Sequence, residues 1–314
     1  MHVRFMKISA FLKSMTSALI LKKDFPFSVW HAPTFRCNLR CKYCELWKRE
    51  AKEMGTEEIK EMMRFFRSKG TVVWNFTGGE PLLREDIGEL IDYAKGLGFH
   101  TTLVTNGTLL GENMDKLMRL DTLILSLDGR RKVNDFLRGK GTYEKIVEGM
   151  RMLKEKGMRF DVDFVLSRWN SKEEEVTHVL ELAKEFGARV NFLPMYTGYN
   201  VEEDESYRRV LPLIFGKYRR FVKTTRRFFE RLKIKGKCFA GRNFLFIFPD
   251  GSVSPCLFRE DLKIEHYERY EELQNPKGCS CVGLCYNTYN LLFSLDLKFI
   301  LELLLKSLKS GPIL

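Results

Sequence analysis

The sequence lacks any long apolar run, and its middle lacks cysteine altogether. No segment reaches the roughly 18 uninterrupted apolar residues that a membrane-spanning helix needs, and there are no internal repeats or low-complexity tracts. No cysteine lies between Cys44 and Cys238, so the 8 cysteines of the 314-residue chain form two separate groups. Such groups indicate metal ligands before disulfides, and they predict a reducing, cytoplasmic environment.

A signal peptide is not expected at the N-terminus. The segment Met1–Lys23 is basic and partly apolar, but Lys13 breaks the apolar run and no small-x-small cleavage site follows. The formal net charge is +12, which favours an anionic partner such as nucleic acid, a membrane surface or an acidic substrate. Abundant Lys, Arg and Glu are also typical of proteins from hot environments. Nucleic acid is not expected, because no aromatic-rich RNA-binding module is present.

The first cysteine group has the spacing of a metal-binding loop. Cys37 and Cys41 are separated by three residues, and Cys41 and Cys44 by two. Three thiolates so close in sequence converge only if the backbone wraps around a bound group. An iron–sulfur cube is such a group, because thiolates are its usual ligands. Three protein ligands leave one iron of the cube without a protein ligand. Open coordination positions are typical of catalytic metal sites. Zinc is the alternative, because soft thiolates also select it.

Two neighbouring features favour an iron–sulfur cube over zinc. Tyr43 stands directly before the third cysteine, and Thr77-Gly78-Gly79-Glu80-Pro81 follows at the end of an apolar run. Together with the cysteines, these motifs resemble the radical S-adenosylmethionine (radical SAM) superfamily. The resemblance implies that Cys37, Cys41 and Cys44 hold a catalytic 4Fe–4S cluster whose open iron chelates SAM. It further implies that a ferredoxin or flavodoxin supplies one electron, and that SAM cleavage yields a 5′-deoxyadenosyl radical.

Strand-like and helix-like runs alternate from Ser28 to Met195. Strands are expected at Ser28–Thr34, Thr71–Phe76, His100–Thr105, Thr122–Leu127, Phe160–Leu166 and Arg189–Pro194. Six β–α units in series predict an α/β fold with a parallel sheet and right-handed crossovers. The resemblance specifies a partial (β/α)6 TIM-like barrel with a small C-terminal auxiliary-cluster subdomain. In such barrels the chemistry lies at the C-terminal ends of the strands.

The candidate SAM contacts follow these strands. Because Gly78 and Gly79 have no Cβ, the backbone there can approach a ligand closely, and Glu80 supplies a carboxylate that the resemblance assigns to the amino group of SAM. The resemblance also assigns cofactor-binding roles to Tyr43, Asn106, Ser126, Asp128, Arg138 and Ser167. Arg138 would pair with the SAM carboxylate, a task that suits a guanidinium fork. Without the resemblance, the glycines could form a plain tight turn, and Arg138 could be a solvated arginine.

The second cysteine group is Cys238, Cys256, Cys279, Cys281 and Cys285. Four residues separate Gly251 from Cys256, and with this spacing the opening of the group resembles a SPASM or twitch domain. Pro249-Asp250-Gly251 predicts a hairpin between Phe244–Phe248 and Ser252–Pro255. The full SPASM pattern has seven cysteines and two auxiliary clusters. Five thiols allow one auxiliary 4Fe–4S cluster with four of them as ligands, and the fifth is either a spare ligand or a free thiol. Zinc is again the alternative.

The expected organisation has five parts. They are an N-terminal amphipathic segment (1–27), the barrel (28–200), a basic connecting helix (201–235), the auxiliary subdomain (236–290) and a C-terminal amphipathic helix (291–314). In the last of these, Lys298, Glu302, Lys306 and Lys309 form a polar strip. Both terminal segments could lie in a membrane interface, or they could pack their apolar faces on the barrel.

The predicted function is therefore a radical SAM enzyme that functionalises an unactivated carbon. The apolar termini and the positive charge favour a lipid or isoprenoid substrate, with peripheral association at the inner face of the membrane. The auxiliary subdomain favours the alternative, which is maturation of a ribosomally made peptide or protein. A non-enzymatic iron–sulfur electron-transfer protein is the remaining alternative, although the Gly78-Gly79-Glu80 motif argues against it because electron carriage needs no SAM pocket.

Overall fold

The computed structural model describes residues 25–197, 200–201, 205–232, 238–276 and 284–310. The predicted N-terminal segment lies almost wholly outside these residues, and so do Cys279 and Cys281. In the described part of the chain, no helix is long and apolar enough to cross a membrane. The five domain boundaries stay predictions.

One curved sheet of eight strands forms the centre of the molecule. Its strands are β1 (Ser28–His31), β2 (Val73–Phe76), β3 (His100–Thr105), β4 (Thr122–Ser126), β5 (Phe160–Leu166), β6 (Arg189–Pro194), β9 (Phe244–Ile247) and β10 (Val253–Ser254). A separate two-stranded ribbon consists of β7 (Tyr196–Thr197) and β8 (Asn200–Val201). The order in the sheet is β10-β9-β1-β2-β3-β4-β5-β6, and β1 to β6 are all parallel. This confirms the predicted α/β fold with a partial barrel.

Helices connect the parallel strands. They are α1 (Thr56–Ser68), α2 (Ile87–Gly96), α3 (Leu110–Leu117), α4 (Arg131–Arg138), α5 (Thr142–Glu155), α6 (Glu173–Phe186), α7 (Leu211–Phe215), α8 (Arg226–Glu230), α9 (Leu284–Phe293) and α10 (Leu297–Ser310). In α1 the buried side chains recur at helical spacing, at Ile59, Met62, Met63 and Phe66. This stripe packs on the outer face of the sheet, where the ring of Phe66 lies 6.2 Å from that of Trp74.

The two faces of the sheet differ in polarity, as β5 shows. Phe160, Val162 and Phe164 belong to the core between the sheet and the helices. Because side chains alternate along a strand, Asp161 and Asp163 point to the opposite, inner face. A parallel strand covered by apolar layers on both sides would read as a continuous hydrophobic run. The alternation in β5 therefore indicates a polar barrel interior.

The predicted hairpin is present, and it joins the barrel. Strands β9 and β10 pair antiparallel, while β9 also pairs in parallel with β1, with Val29 opposite Leu245. Beyond β9, Phe248 packs edge-on against Phe35 of the cysteine-bearing loop, with ring centroids 6.1 Å apart. The region predicted as an auxiliary subdomain thus contributes a strand to the main sheet and packs against the cysteine-bearing loop.

The expected connecting helix over 201–235 is not one helix in residues 205–232. Two short helices, α7 and α8, occupy part of it. A turn of 3-10 helix at Arg219–Phe221 and then an extended stretch at residues 222–224 separate them. Gly216 ends α7, and the Thr225 hydroxyl caps α8 by accepting from the Phe228 N–H at 3.1 Å. Between them, the Lys223 N–H donates to the Val190 carbonyl at 2.9 Å, so this stretch lies along β6. The glycine that ends α7 and the threonine that caps α8 therefore divide a segment whose apolar spacing predicted a single helix.

The C-terminal helix also differs from the prediction. The expected helix over 291–314 begins inside α9, and a break separates α9 from α10. Leu295 has a φ of 55°, which L-residues rarely adopt, and the Asp296 side chain accepts from the Phe299 N–H at 3.0 Å. A new helix cap at Asp296 therefore ends one helix and starts the next.

Candidate active site

The loop between β1 and α1 carries the first three cysteines at the C-terminal edge of the sheet. None of these thiols is in a disulfide, and each is partly exposed. The Leu39 N–H donates to Cys37 Sγ at 3.4 Å, and Cys41 Sγ approaches the Arg138 carbonyl at 4.0 Å. Burial raises the pKa of Cys41 to about 11, an effect that the Arg138 charge opposes. Binding of a metal ion or cluster favours the thiolate form of such a group.

The two glycines after β2 allow close contact with this cysteine loop. The Gly79 N–H donates to the Thr34 carbonyl at 3.0 Å, and the Glu80 N–H donates to the Arg36 carbonyl at 2.8 Å. A Cβ on Gly78 would lie 2.5 Å from the Thr34 oxygen, and one on Gly79 would lie 2.2 Å from the Arg36 oxygen. Only glycine permits this interlock of backbone on backbone. The close approach seen here is therefore between two loops.

Glu80 joins the ends of β2 and β3. Its carboxylate is fully buried and accepts from Thr105 Oγ1 at 2.8 Å, the Leu82 N–H at 3.1 Å and the Asn106 N–H at 2.8 Å. Burial raises its pKa to about 7, although these three donors favour the charged form. Asn106 continues the connection, because its Nδ2 donates to Asn38 Oδ1 at 2.8 Å. These residues fix the cysteine loop to the strand ends, and a contact of Glu80 with the SAM amino group stays a prediction.

Asp128 is the centre of a buried charged group. It is completely buried, and its Oδ2 accepts from Arg138 Nε at 2.7 Å and from the Tyr43 hydroxyl. Its Oδ1 accepts from the Val165 N–H at 2.8 Å. Burial opposes the charge on Arg138, but Asp128 outweighs this effect and raises the pKa of the guanidinium. Asp128 therefore fixes the position of Arg138.

The guanidinium of Arg138 is only partly used. Its Nε is held by Asp128, and its plane lies over the Tyr43 ring at 5.7 Å from the centroid. Neither Nη group makes a hydrogen bond with any residue in the described ranges. The guanidinium is thus fixed in place beside Cys41 with two donor groups available to an anion.

Ser167 and Ser126 have different environments. The Ser167 N–H and hydroxyl both donate to Asn170 Oδ1, at 2.7 and 2.9 Å, and Asn170 in turn donates to the Asp128 carbonyl at 3.0 Å. Ser167 is therefore part of a closed turn that supports Asp128. Ser126, at the end of β4, is partly exposed and stands opposite Asp163 in the strand register.

Sequence reasoning missed the polar patch that Asp163 forms on the inner face. Asn191 Nδ2 donates to Asp163 Oδ1 at 2.8 Å, and burial raises the pKa of Asp163 to about 6. Its neighbour Asp161 is paired with Lys223 at 2.8 Å, whereas Asp163 is partly exposed to the barrel interior. Two alternate aspartates in an otherwise apolar strand were the available signal.

It also missed Glu53, which anchors the cysteine loop. Its carboxylate accepts from Thr34 Oγ1 at 2.5 Å, from Arg36 Nε at 2.8 Å and from Arg84 Nη1 at 3.3 Å. Because Arg84 is buried beside the strand ends, Glu53 ties the start of the loop to the barrel.

The second cysteine group is described only in part. Cys238 and Cys256 both pack against one apolar cluster, and Asn290 Nδ2 donates to Cys238 Sγ at 3.7 Å. Cys285 lies in the first turn of α9. The ligand set of an auxiliary cluster stays a prediction.

The first cysteine group fits an iron–sulfur cube. It offers three thiols on one loop, a backbone N–H aimed at a sulfur, and a fixed cation beside it. In the described ranges, no three Cys, His, Asp or Glu side chains converge on a single ion position.

Comparison with known proteins supports the same interpretation. Residues 32–170 match the model of the Radical SAM superfamily. The Fe-coproporphyrin III synthase of Methanosarcina barkeri is 35% identical over 159 residues, which cover 48% of this chain and 40% of that protein. The AdoMet-dependent heme synthase of Oleidesulfovibrio alaskensis is 30% identical over 271 residues, which cover 72% of this chain and 68% of that protein. The chain thus spans less than half of the first relative's length.

The solved structures show a similar fold. Streptococcus suis SuiB bound to its precursor peptide SuiA superimposes with a TM-score of 0.64 at 18% identity. The match covers 87% of this chain and 67% of that chain. At this identity the likeness concerns the fold alone.

The glycine interlock makes a prediction about stability. Gly79→Ala should lower the free energy of unfolding by about 3 kcal/mol or more, because its Cβ would meet the Arg36 backbone oxygen at 2.2 Å. Gly96→Ala is the matched control, since no atom lies within 4 Å of its Cβ position, and it should be neutral or stabilising by up to ~1 kcal/mol. Urea denaturation of the anaerobically purified proteins measures both. Equal stability of the two variants would show that the interlock is not required.

Proposed function

We propose a substrate class and a set of residue roles for this chain, which belongs to the radical SAM superfamily and is an enzyme that uses a 4Fe–4S cluster and SAM. When bound, this pair supplies a 5′-deoxyadenosyl radical through one-electron reduction, and the radical takes a hydrogen atom from an unreactive carbon. In this proposal Cys37, Cys41 and Cys44 hold the cluster, and a ferredoxin or flavodoxin delivers the electron.

These roles rest on one observation. Asp128 holds the Arg138 guanidinium in place through Nε, while its Nη groups make no hydrogen bond with a described residue. Its Nη groups bind the carboxylate of SAM, while Asp128 and Tyr43 keep it oriented. Asn106 positions the cysteine loop through Asn38. An arginine already held by a buried carboxylate loses little conformational freedom on binding, so the binding geometry is set before the ligand arrives.

For the substrate we propose a lipid or isoprenoid, that is, an amphiphile with an apolar part and a polar part. The barrel interior has two kinds of wall. At one end of the sheet, Trp30 on β1 packs with aromatic residues such as Phe246 of β9. At the other end, Ser126, Asp163 and Asn191 on β4 to β6 present polar groups. An amphiphile matches this division. The protein net charge of +12 also favours a substrate that resides at an anionic membrane, with the enzyme peripheral to its inner face.

A peptide is the second candidate substrate. The polar groups of Asp163 and Asn191 can bond to peptide amides as well as to a lipid headgroup. The structure of SuiB with SuiA contains a peptide in a protein of the same fold. Iron porphyrins form a third class, which the names of the two curated relatives suggest.

For the second cysteine group we propose one auxiliary 4Fe–4S cluster that relays electrons. Four of the five thiols at Cys238, Cys256, Cys279, Cys281 and Cys285 would ligate it. The position of β9 beside β1 supports this proposal, because it brings the Cys238 region next to the strand that leads into the cysteine loop.

Iron content and SAM cleavage test the two clusters together. Anaerobic reconstitution should give about eight irons per chain, from two cubes of four. Replacing Cys37, Cys41 and Cys44 by Ala should leave about four irons and abolish 5′-deoxyadenosine formation. The control that replaces Cys238 and Cys256 by Ala should also lose about four irons, but it should still cleave SAM with dithionite. Persistent cleavage in the triple variant would refute the assignment.

Transfer of deuterium tests the substrate class. The reduced enzyme is incubated in parallel with perdeuterated isoprenoid lipid in vesicles, perdeuterated peptides and deuterated Fe-coproporphyrin III. Mass spectrometry of the 5′-deoxyadenosine then reports which class gave up hydrogen, and reactions without reductant serve as controls. We expect label from the lipid. Label from the peptide or porphyrin alone would replace the lipid proposal with that class.

A further inference from the structure

The C-terminal helix α10 turns its polar side chains toward the protein. The Glu302 carboxylate accepts from the backbone N–H groups of Arg226 at 2.7 Å and Arg227 at 3.1 Å, at the start of α8. The Lys306 ammonium donates to three carbonyls of the extended stretch, those of Val222 (3.0 Å), Lys223 (3.4 Å) and Thr224 (2.6 Å). Two residues of the polar strip predicted from the sequence, Glu302 and Lys306, therefore lie on the side of α10 that contacts the rest of the protein.

The opposite side of α10 exposes leucines. Seven large apolar side chains are exposed in the described ranges, and five of them are in this one segment. They are Leu295 (49%), Leu297 (78%), Leu301 (58%), Leu304 (57%) and Leu305 (49%). The last four recur at spacings of four, three and one, which places them on one face of the helix. We call these four residues the leucine face.

This orientation is fixed by polar contacts that a rotated helix could not make. Glu302 satisfies N–H groups at a helix start, which otherwise lack partners. Lys306 satisfies partly buried carbonyls, and Asp296 holds Arg227 at 2.9 Å directly before the helix begins. Turning the leucines inward would break the contacts of Glu302 and Lys306 and leave the partly buried groups unpaired, which costs free energy. These contacts therefore hold the leucine face outward.

The surroundings of the leucine face are basic. Exposed Lys and Arg side chains lie on α10 itself and on the adjoining segments that Glu302 and Lys306 contact, at Lys217, Arg219, Arg220, Arg226 and Lys298. A second copy of this chain would bring the same positive charges together. Residues 1–24 carry Arg4, Lys7, Lys13, Lys22 and Lys23, so they would also add charge of the same sign. An anionic surface is the partner whose charge complements this patch.

We propose that the leucine face and its basic border dock the enzyme on an anionic lipid bilayer. The leucines enter the boundary between headgroups and acyl chains, while the Lys and Arg side chains contact the headgroup phosphates. Docking concerns the outer surface of the protein and not the barrel interior. It deepens the peripheral membrane association proposed above by naming the docking surface, and it holds or fails independently of the proposed substrate.

Vesicle co-sedimentation tests the proposal with the full-length, anaerobically purified enzyme and no reductant or substrate. The native chain should bind vesicles of phosphatidylglycerol and phosphatidylcholine, bind pure phosphatidylcholine vesicles weakly, and lose part of its binding in high salt. Changing Leu301 and Leu304 to Gln should weaken binding to the anionic vesicles at least about tenfold. Met118→Gln is the matched control, because Met118 is similarly exposed, at 48%, but lies at the end of α3. This control should bind like the native chain.

A second readout does not depend on a loss of binding. In Leu301→Trp, the emission of the new indole should shift to the blue when anionic vesicles are added. Three results would overturn the proposal: no vesicle binding by the native chain, equal binding by the double Gln variant, or no shift in the Trp variant. A native dimer that the double Gln variant dissociates would assign the face to a second copy. Vesicle binding that appears only after deletion of residues 1–24 would assign it to that segment.

Discussion

The buried carboxylate of Asp128 is the interaction on which the rest of the site depends. It connects four parts of the chain: its own strand end, α4 through Arg138, the cysteine loop through Tyr43, and β5 through the Val165 N–H. A charge buried without partners costs several kcal/mol, and removing one partner of a buried pair leaves the other charge uncompensated. The four parts therefore adopt this arrangement together, and Arg138 is positioned as a consequence.

A second constraint is steric and sets the height of the cysteine loop above the sheet. Gly78 and Gly79 bring the end of β2 into backbone contact with residues 34–36, and Glu80 then fastens β2 to β3. Charge fixes the loop on the side of β4 and β5, and close packing fixes it on the side of β2. In the described part of the chain, these supports hold the cysteine loop beside Arg138, whose two Nη groups make no hydrogen bond with a described residue.

The sequence predicted the strands of the sheet more closely than it predicted the contacts among the candidate site residues. Six strands were expected, and β3, β5 and β6 have the expected bounds, because alternating apolar runs separated by helical stretches are strong local signals. Tyr43 and Asp128 were both expected to contact the cofactor, yet they bond to each other across 85 residues of sequence, a pairing that no local pattern reveals. Asp163 was missed because it lies inside β5 and not after a strand end. The predicted connecting helix was wrong because Gly216 ends one short helix and Thr225 caps the next, which the spacing of the apolar residues does not reveal.

The central claim is that Arg138, held by Asp128, receives the carboxylate of SAM beside the first cluster. Titration of the reduced enzyme with SAM, followed by EPR, tests it most directly in the native chain and in Arg138→Lys. The native spectrum should change for one of two clusters as SAM is added. The variant should show the same spectrum before addition and require at least about tenfold more SAM, because an ammonium lacks the guanidinium fork. Identical titration curves for the two proteins, or a native spectrum unaffected by SAM, would contradict the claim.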